Sequence, residues 1–142
     1  MAMMHDFIKS HYNQDVSTED LKVTVEKFMT KQMDLDRNGK MDWFFNEYVY
    51  GTEMPSYKFQ YELTEGGTIL NGHIIQSGVS DNFKMLVPVY IDDGKRMVLL
   101  GKARIVGNKT VDLKNIKLPQ PAKRAAICAY HDVLALNIQN DK

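Results

Sequence analysis

One segment of the sequence has the residue types and spacing of a metal-binding loop. It reads Asp34-Leu35-Asp36-Arg37-Asn38-Gly39-Lys40-Met41-Asp42. Oxygen-bearing side chains stand at the first, third, fifth and ninth positions of a calcium loop, and a glycine supplies the sharp turn. Alternating oxygens of this kind converge on a hard cation. The pattern therefore predicts a calcium site formed by Asp34, Asp36, Asn38 and Asp42.

The same loop has a simpler interpretation as a turn. The bidentate glutamate expected at position twelve is missing, because Phe45 stands there. Glu47 could replace it only in a geometry different from that of an EF-hand. Asp, Asn and Gly are also common turn residues, and Asp42 would serve as the N-cap of a following helix. A helix-connecting turn is thus the alternative to a calcium site.

Other residues that could do chemistry are few. The four histidines are His5, His11, His73 and His131. None belongs to a His-Glu-x-x-His pair, so this chain cannot build that type of zinc-peptidase centre. His73 and His131, in or near predicted strands, are candidate ligands, although isolated histidines are more often surface or strand-end residues. We predict that Cys128 is a small core residue, because nothing near it in the sequence would lower its pKa.

Composition and charge exclude several classes of protein. The chain has 142 residues, of which 44% are apolar and 25% charged, as in ordinary globular proteins. Its 18 basic and 18 acidic residues cancel, so no basic excess indicates nucleic acid or an anionic membrane as a partner. A single cysteine excludes an internal disulfide. There is no apolar run of membrane-spanning length and no signal-peptide core, and the compartment is not indicated.

The neutral total hides two unlike halves. Residues 1–53 contain 6 basic and 10 acidic side chains, whereas residues 54–142 contain 12 and 8. Apolar spacing is helical before this boundary and alternating after it. We therefore expect a helical segment over 1–53 and a β-sandwich domain over 54–142.

The first half predicts three short helices. Apolar residues recur at helical spacing over 3–13 and again over 18–32. Ser17 and Asp20 form a weak capping box for the second helix. A third helix ends before Gly51, which suits the left-handed position just past a helix. Helices this short are not stable alone, so the second half or a missing partner must cover their apolar faces.

The second half predicts antiparallel β-structure. About seven short strands with turns roughly every ten residues are typical of a β-sandwich. The cleanest alternation runs over 57–63, and the Asp-Gly pair within 92–95 indicates a hairpin turn. Pro88 suggests an edge strand or a bulge. The segment 124–136 is long enough for one or two more strands. The expected fold class is α+β, with a short N-terminal helical segment followed by an antiparallel sandwich.

The stretch around the third helix resembles a known family. Residues 41–57 read Met-Asp-Trp-Phe-Phe-Asn-Glu-Tyr-Val-Tyr-Gly-Thr-Glu-Met-Pro-Ser-Tyr. They resemble a segment of the aminopeptidase N-like zinc metallopeptidases, the gluzincin aminopeptidases, in which an Asp-aromatic-Phe-Phe helix leads into aromatic-Val-Tyr-Gly-Thr-Gly-x-Pro. Two departures are Tyr48, where the family commonly has tryptophan, and Glu53, where it commonly has glycine. Residues 3–33 resemble the helices just upstream of that segment.

The resemblance implies that this chain is the C-terminal portion of a larger peptidase. It would contain the last helices of the catalytic domain and an immunoglobulin-like β-sandwich. The family's zinc motif, amine-binding loop and catalytic tyrosine have no counterpart here, so no catalytic residue is carried over. The chain itself is then not an enzyme, and zinc is expected in the parent. The implied partner is the upstream catalytic domain, and we also expect self-association through the helical segment.

Two other functions fit the residues. A free-standing β-sandwich could bind a protein or a sugar, and Tyr57, Tyr61 and Tyr90 would then line one open face. Alternatively, the chain is a small calcium-binding domain that uses the Asp34–Asp42 loop.

Overall fold

A computed structural model describes residues 1–142. The chain is α+β, with three short helices and seven strands in two mostly antiparallel sheets. This arrangement is compatible with a β-sandwich. The chain divides into two compact units, Met1–Thr52 and Glu53–Lys142, which we call the helical unit and the strand unit. None of the helices combines the length and the apolar character needed to cross a membrane.

The helices of the helical unit are shorter than the apolar periodicity predicts. They are α1 (Ala2–Ser10), α2 (Thr18–Lys27) and α3 (Asp42–Phe44), the last continuing as a π-helical turn over Phe45–Val49. The first helix ends before Asn13, which has a left-handed backbone with a φ of 57°. The second helix ends at Lys27, since the next N–H, that of Phe28, donates to the Val25 carbonyl three residues back at 3.0 Å. The predicted limits of 13 and 32 are therefore wrong.

The start of α2 confirms the capping box. The Asp20 N–H donates to Ser17 Oγ at 3.2 Å, and the Ser17 N–H donates to Asp20 Oδ2 at 2.8 Å. Two backbone donors at the helix start are satisfied in this way. The hydrogen bond from the Ser17 N–H also lowers the pKa of the Asp20 carboxyl, since it stabilises the charged form.

The start of α3 differs from the prediction. Asp42 is the first helical residue, and Met41, with no side-chain cap hydrogen bond, occupies the N-cap position. The Asp42 carboxylate instead pairs with Lys22 of α2, with Nζ and Oδ1 2.5 Å apart. The side chain predicted to cap this helix therefore connects it to its neighbour.

Gly51 is required for a reason other than the predicted one. Its backbone is not left-handed. The chain before it widens into the π turn, where the Tyr50 N–H donates to the Phe45 carbonyl at 2.9 Å. A Cβ at Gly51 would lie 2.6 Å from the Asn46 carbonyl oxygen. The tight return of the backbone, rather than a positive φ, excludes a side chain at this position.

The strand unit contains seven strands in two sheets. The strands are β1 (Ser56–Thr64), β2 (Ile69–Ser77), β3 (Lys84–Asp92), β4 (Met97–Val106), β5 (Lys109–Lys117), β6 (Arg124–Ile127) and β7 (Asn137–Asp141). One sheet has the order β5-β2-β1-β7 and the other has the order β4-β3-β6. All pairs are antiparallel except β1 with β7, which is parallel and joins Ser56 to Asn137. The predicted antiparallel arrangement is therefore confirmed at every pair except this one.

The predicted hairpin turn after β3 is confirmed. Asp92 Oδ1 accepts from the Gly94 N–H at 2.8 Å, and Asp93 Oδ1 accepts from the N–H groups of Lys95 and Arg96 at 2.8 and 2.9 Å. These bonds replace ladder partners where the chain reverses. They also lower the pKa of both carboxyls.

Pro88 does not lie on an edge strand, because β3 is the central strand of its sheet. Its carbonyl accepts from the Cys128 N–H at 3.0 Å, just past the end of β6. The N–H that proline lacks would face this same end, where regular pairing has stopped. The predicted bulge is close by, as a shift of register between Val89 and Tyr90.

The end of the chain also departs from the prediction. Within 124–136 only β6 is a strand, and the seventh strand lies beyond it at Asn137–Asp141. This strand is polar and mostly exposed, with Ile138 as its single apolar residue. Apolar alternation therefore gave no signal for it.

The two units have cores of very different size. The strand unit buries an apolar set from both sheets, in which Phe59, Leu70, Ile74, Val87, Ile91 and Ile105 have no measurable exposure. The helical unit buries only Thr24, Leu35, Met41, Trp43 and Phe45. The indole Nε1–H of Trp43 donates to the Met33 carbonyl at 2.9 Å, so this ring also holds the turn at Met33 in place.

Candidate functional site

The Asp34–Asp42 loop is the only segment for which the sequence predicts a ligand set. In the structure its oxygens form an internal turn. Asp34 Oδ1 accepts from the Asn38 N–H at 3.0 Å, and Asp34 Oδ2 accepts from the Gly39 N–H at 3.1 Å. Asn38 Oδ1 accepts from the Lys40 N–H at 2.9 Å. These are the Asx-type bonds with which turn residues organise their own backbone.

Charged side chains of α2 connect this loop to the helix. Glu26 Oε1 accepts from the Met41 N–H at 2.9 Å, and Glu26 Oε2 lies 3.6 Å from Lys40 Nζ. Lys22 pairs with Asp42 and lies 3.6 Å from Glu26. The pKa of Lys22 is raised, mainly by its hydrogen bond to Asp42. Two acids and two lysines thus balance one another at the end of the loop.

The structure does not assemble the predicted calcium ligands into a metal site. No three His, Cys, Asp or Glu side chains are placed to hold one ion, and this includes Asp34, Asp36 and Asp42. Asp36 is exposed, whereas Asp42 is directed to Lys22. To bind calcium, Asp34 would have to exchange its bonds to backbone N–H groups for bonds to the ion. Calcium binding therefore remains a prediction from the sequence pattern.

The histidines are scattered. His5 lies exposed on α1. The His11 ring packs on Phe7 with a centroid distance of 4.8 Å. His73 Nε2 lies 2.8 Å from Gln60 Oε1 across the β1–β2 pair. His131 is exposed in the loop after β6. No cluster of metal-ligating side chains includes any of them.

Cys128 is buried, as predicted, with 4% exposure. It lies just past β6 rather than within a strand, and its φ is 50°. Burial raises the pKa of the Cys128 thiol to about 12, and the nearby Asp132 carboxylate contributes to the shift. A thiol so far from ionisation is not an activated nucleophile.

The three tyrosines of the binding-module hypothesis do not share an open face. Tyr57 and Tyr90 are buried, with 2% and 7% exposure. The Tyr57 hydroxyl donates to Gln76 Oε1 at 2.6 Å inside the unit. The half-buried Tyr61 stacks on Phe59 with a centroid distance of 5.1 Å. Of the three rings, only Tyr61 is thus partly accessible, and they do not form the open face that the hypothesis expects.

The helical unit carries a set of exposed apolar side chains that none of the predicted sites explains. The first helix, α1, buries none of its residues. Between residues 4 and 28, the large apolar side chains with high exposure are Met4, Ile8, Tyr12, Val16, Val23 and Phe28, with 44–74% of each exposed. A depression of about 380 Å³ on α1 is lined by Ile8, Tyr12 and two polar neighbours. We call these exposed side chains the α1 surface.

Sequence reasoning missed the contacts between distant residues. The Tyr90 hydroxyl donates to Asp132 Oδ1 at 2.9 Å, and burial together with this bond raises the pKa of Tyr90 to about 12. The Tyr50 hydroxyl donates to Glu19 at 2.6 Å. Each pair is more than thirty positions apart in the chain. No local spacing indicates such pairs.

Comparison with known proteins adds no relative. The chain matches no protein-family model, and no curated protein sequence is significantly similar to it.

Proposed function

We propose that this chain is a non-catalytic C-terminal portion of an aminopeptidase N-like zinc metallopeptidase. The helical unit would be the end of the catalytic domain, and the strand unit would be an immunoglobulin-like sandwich that supports it. Its role would be structural, with the α1 surface as the contact with the rest of the polypeptide. The peptidase chemistry and the zinc would belong to that other part.

One observation carries the proposal, which is that α1 has no core of its own. A nine-residue helix that buries none of its residues gains little from packing and is too short to be stable by itself. Met4 and Ile8 of this helix nevertheless stay 45% and 60% exposed, and Tyr12, just after the helix, is 74% exposed. Apolar surface of this kind usually marks a place where another protein surface binds.

The resemblance around the third helix supports the same function. Residues 42–49 form a short helical run, in which Trp43 and Phe45 are buried. The chain then returns tightly at Gly51, and β1 begins at Ser56. A helical end followed at once by a strand unit is the order that the family resemblance implies.

The coding sequence upstream of Met1 tests the proposal most directly. We expect it to encode His-Glu-x-x-His and a downstream glutamate in the same reading frame. An upstream frame without a zinc motif would overturn the proposal.

A matched pair of substitutions tests the role of the α1 surface in the longer polypeptide. Ile8→Asp should lower its melting temperature and its peptidase activity, because a charge would be placed in the proposed contact. Gln14→Asp, at an exposed polar position, should change neither. In the 142-residue chain alone, both variants should behave like the parent. Equal effects of the two substitutions in the longer polypeptide would contradict the proposed contact.

The isolated chain should hydrolyse no aminoacyl-p-nitroanilide and should bind no stoichiometric zinc. Turnover by the purified chain that a zinc chelator abolishes would contradict its proposed non-catalytic role.

A further inference from the structure

The strand unit has an open cleft between two sheet edges. Strand β4 is at the end of one sheet and β5 is at the end of the other, so each pairs with only one strand. A cavity of about 200 Å³ opens between them. Its apolar lining comes from both sheets and includes Val89, Ala103, Leu113 and Ile116. The interior of the unit is therefore accessible along this side.

Gly101 of β4 leaves room in this cleft. A Cβ built at this residue would have no atom within 4 Å. Its backbone is not left-handed, so no turn requires a glycine here. The opening is smaller than the roughly 300–1,000 Å³ of usual small-molecule sites. It suits one or two apolar side chains better than a separate ligand.

One basic side chain, Lys102, lines the cleft, and both strands that form it carry further basic side chains. Between Met97 and Lys117 the chain has five basic residues and one acidic residue, Asp112. All five basic side chains are exposed: Lys102, Arg104, Lys109, Lys114 and Lys117. Lysine on an edge strand also discourages pairing with other chains. That role does not explain the apolar opening between the two edges.

We propose that this cleft is a docking site for an extended acidic segment of a partner protein. The segment would add a strand to the free edge of β4 or β5 and place an apolar side chain in front of Gly101. Its carboxylates would lie near Lys102 and the lysines of β5, where charge complementarity favours them. Backbone pairing would supply affinity, and the cleft together with the basic side chains of its two strands would supply specificity. This inference does not depend on the proposed function of the whole chain.

An NMR titration of the ¹⁵N-labelled 142-residue chain tests the proposal. The probe is a blocked peptide of about eight residues, a usual strand length, in which glutamate alternates with valine and leucine. We expect chemical-shift changes confined to the amides of β4 and β5. Binding should weaken as the salt concentration rises, because salt screens the charges. The controls are a peptide of the same composition with its apolar residues grouped together and a peptide with lysine in place of glutamate. Both should bind at least about tenfold more weakly.

Two sets of variants distinguish docking in the cleft from non-specific binding of the peptide. Gly101→Val fills the cleft, so it should weaken peptide binding at least about tenfold and leave the melting temperature unchanged or higher. The double variant Lys102→Glu and Lys117→Glu should weaken binding similarly, because both exposed positions reverse their charge. Lys31→Glu, the same charge change in the helical unit, should leave binding unchanged. If Gly101→Val does not fold, the peptide affinities of the two charge variants still test the proposal.

Several outcomes would overturn the proposal. These are no shifts at millimolar peptide, equal binding of the grouped or lysine peptide, equal binding of a thymidine oligonucleotide, and shifts that map to residues 1–52. Peptide-independent dimerisation through β4 and β5 would also overturn it, since the occupant would then be a second copy of the chain.

Discussion

Each unit of this chain is stabilised by a different kind of internal contact. The strand unit buries a continuous apolar set contributed by both of its sheets. The helical unit buries five residues and relies on polar contacts, such as the Lys22–Asp42 pair and the Glu26 bond to the Met41 N–H. Ion pairs that solvent can still reach contribute far less than a large buried apolar area. The strand unit therefore has the features of a fold that is stable by itself. The helical unit has exposed apolar side chains that another protein surface would have to bury.

The largest expected difference comes from removing one side chain in each unit. Phe59→Ala should cost about 3–5 kcal/mol of unfolding free energy, because the ring is fully buried and stacks on Tyr61. Ile8→Ala should cost less than about 0.5 kcal/mol, since Ile8 is 60% exposed. Urea denaturation followed by circular dichroism measures both. Equal costs would erase the distinction between the two units.

Two glycines with the same backbone angle provide a finer comparison. Gly107 has a φ of 68°, and a Cβ there would lie 2.7 Å from the Asp81 carbonyl oxygen. Gly39 has a φ of 69° and no atom near that position. Replacement by alanine should therefore cost about 3 kcal/mol at Gly107 and about 1 kcal/mol at Gly39. Thermal melts of the two variants test this, and a larger loss at Gly39 would show that the helical unit is the more tightly constrained.

The capping box predicts a smaller effect that depends on pH. Ser17→Ala should destabilise α2 by about 1 kcal/mol, because the Asp20 N–H loses its side-chain acceptor. Since the pKa of Asp20 is lowered in the fold, its contribution is present above the ordinary value of 3.8 and is lost as the pH falls through the folded-state value. The difference in helicity between Ser17→Ala and the parent chain should narrow as the pH falls, because the Ser17 hydroxyl donates to the Asp20 carboxylate. It should not vanish, because the bond from the Asp20 N–H to Ser17 Oγ does not titrate. A constant difference down to the lowest pH would contradict the role of the carboxylate.

The smallest expected effect comes from the ion pairs beside the loop. Lys22→Met should cost about 0.5 kcal/mol, while Lys27→Met at an exposed position should cost nothing measurable. The raised pKa of Lys22 means that this contribution is present below 10.5 and disappears as the pH rises through the folded-state value. Unfolding curves at neutral and high pH check the sign. If Lys22→Met still costs the same unfolding free energy at the highest pH, the aliphatic part of the Lys22 side chain, not its charge, stabilises the contact.

Calorimetry with millimolar calcium separates the two interpretations of the Asp34–Asp42 loop. A calcium site would give a binding heat that Asp36→Ala lowers or removes, because an oxygen ligand is lost. A turn would give no heat in either protein and would leave the α2–α3 contacts as the only role of this loop.

The sequence predicted the strand unit better than the helical unit for a physical reason. Alternation over 57–63 reports a half-buried strand directly, and the Asp-Gly turn of 92–95 is a local signal. The helix ends could not be predicted as well, because Asn13 and Phe28 break the helices without glycine or proline. The polar β7 had no apolar alternation and was missed. The assignment of Asp42 as a cap failed because its partner, Lys22, is twenty residues away.

The candidate sites show the same limit. The calcium pattern is local and could be identified at once, but the hydrogen bonds of Asp34 and the salt bridge of Asp42 depend on neighbours that spacing alone does not reveal. The β4–β5 cleft could not have been predicted, because it depends on which strands end each sheet. Gly101 appears in the sequence only as an interruption of a strand.

The parallel pairing of β1 with β7 bears on how the strand unit forms during synthesis. Residues 56–60 pair with residues 137–141, so the first strand obtains its second neighbour only after the last strand has left the ribosome. Until then β1 presents a free edge, and Phe59 belongs to a sheet that is still open on one side. Such a long sequence separation predicts slow closure and a period in which the nascent chain is prone to aggregate. Chaperone contact would be most useful during the interval between the synthesis of these two strands.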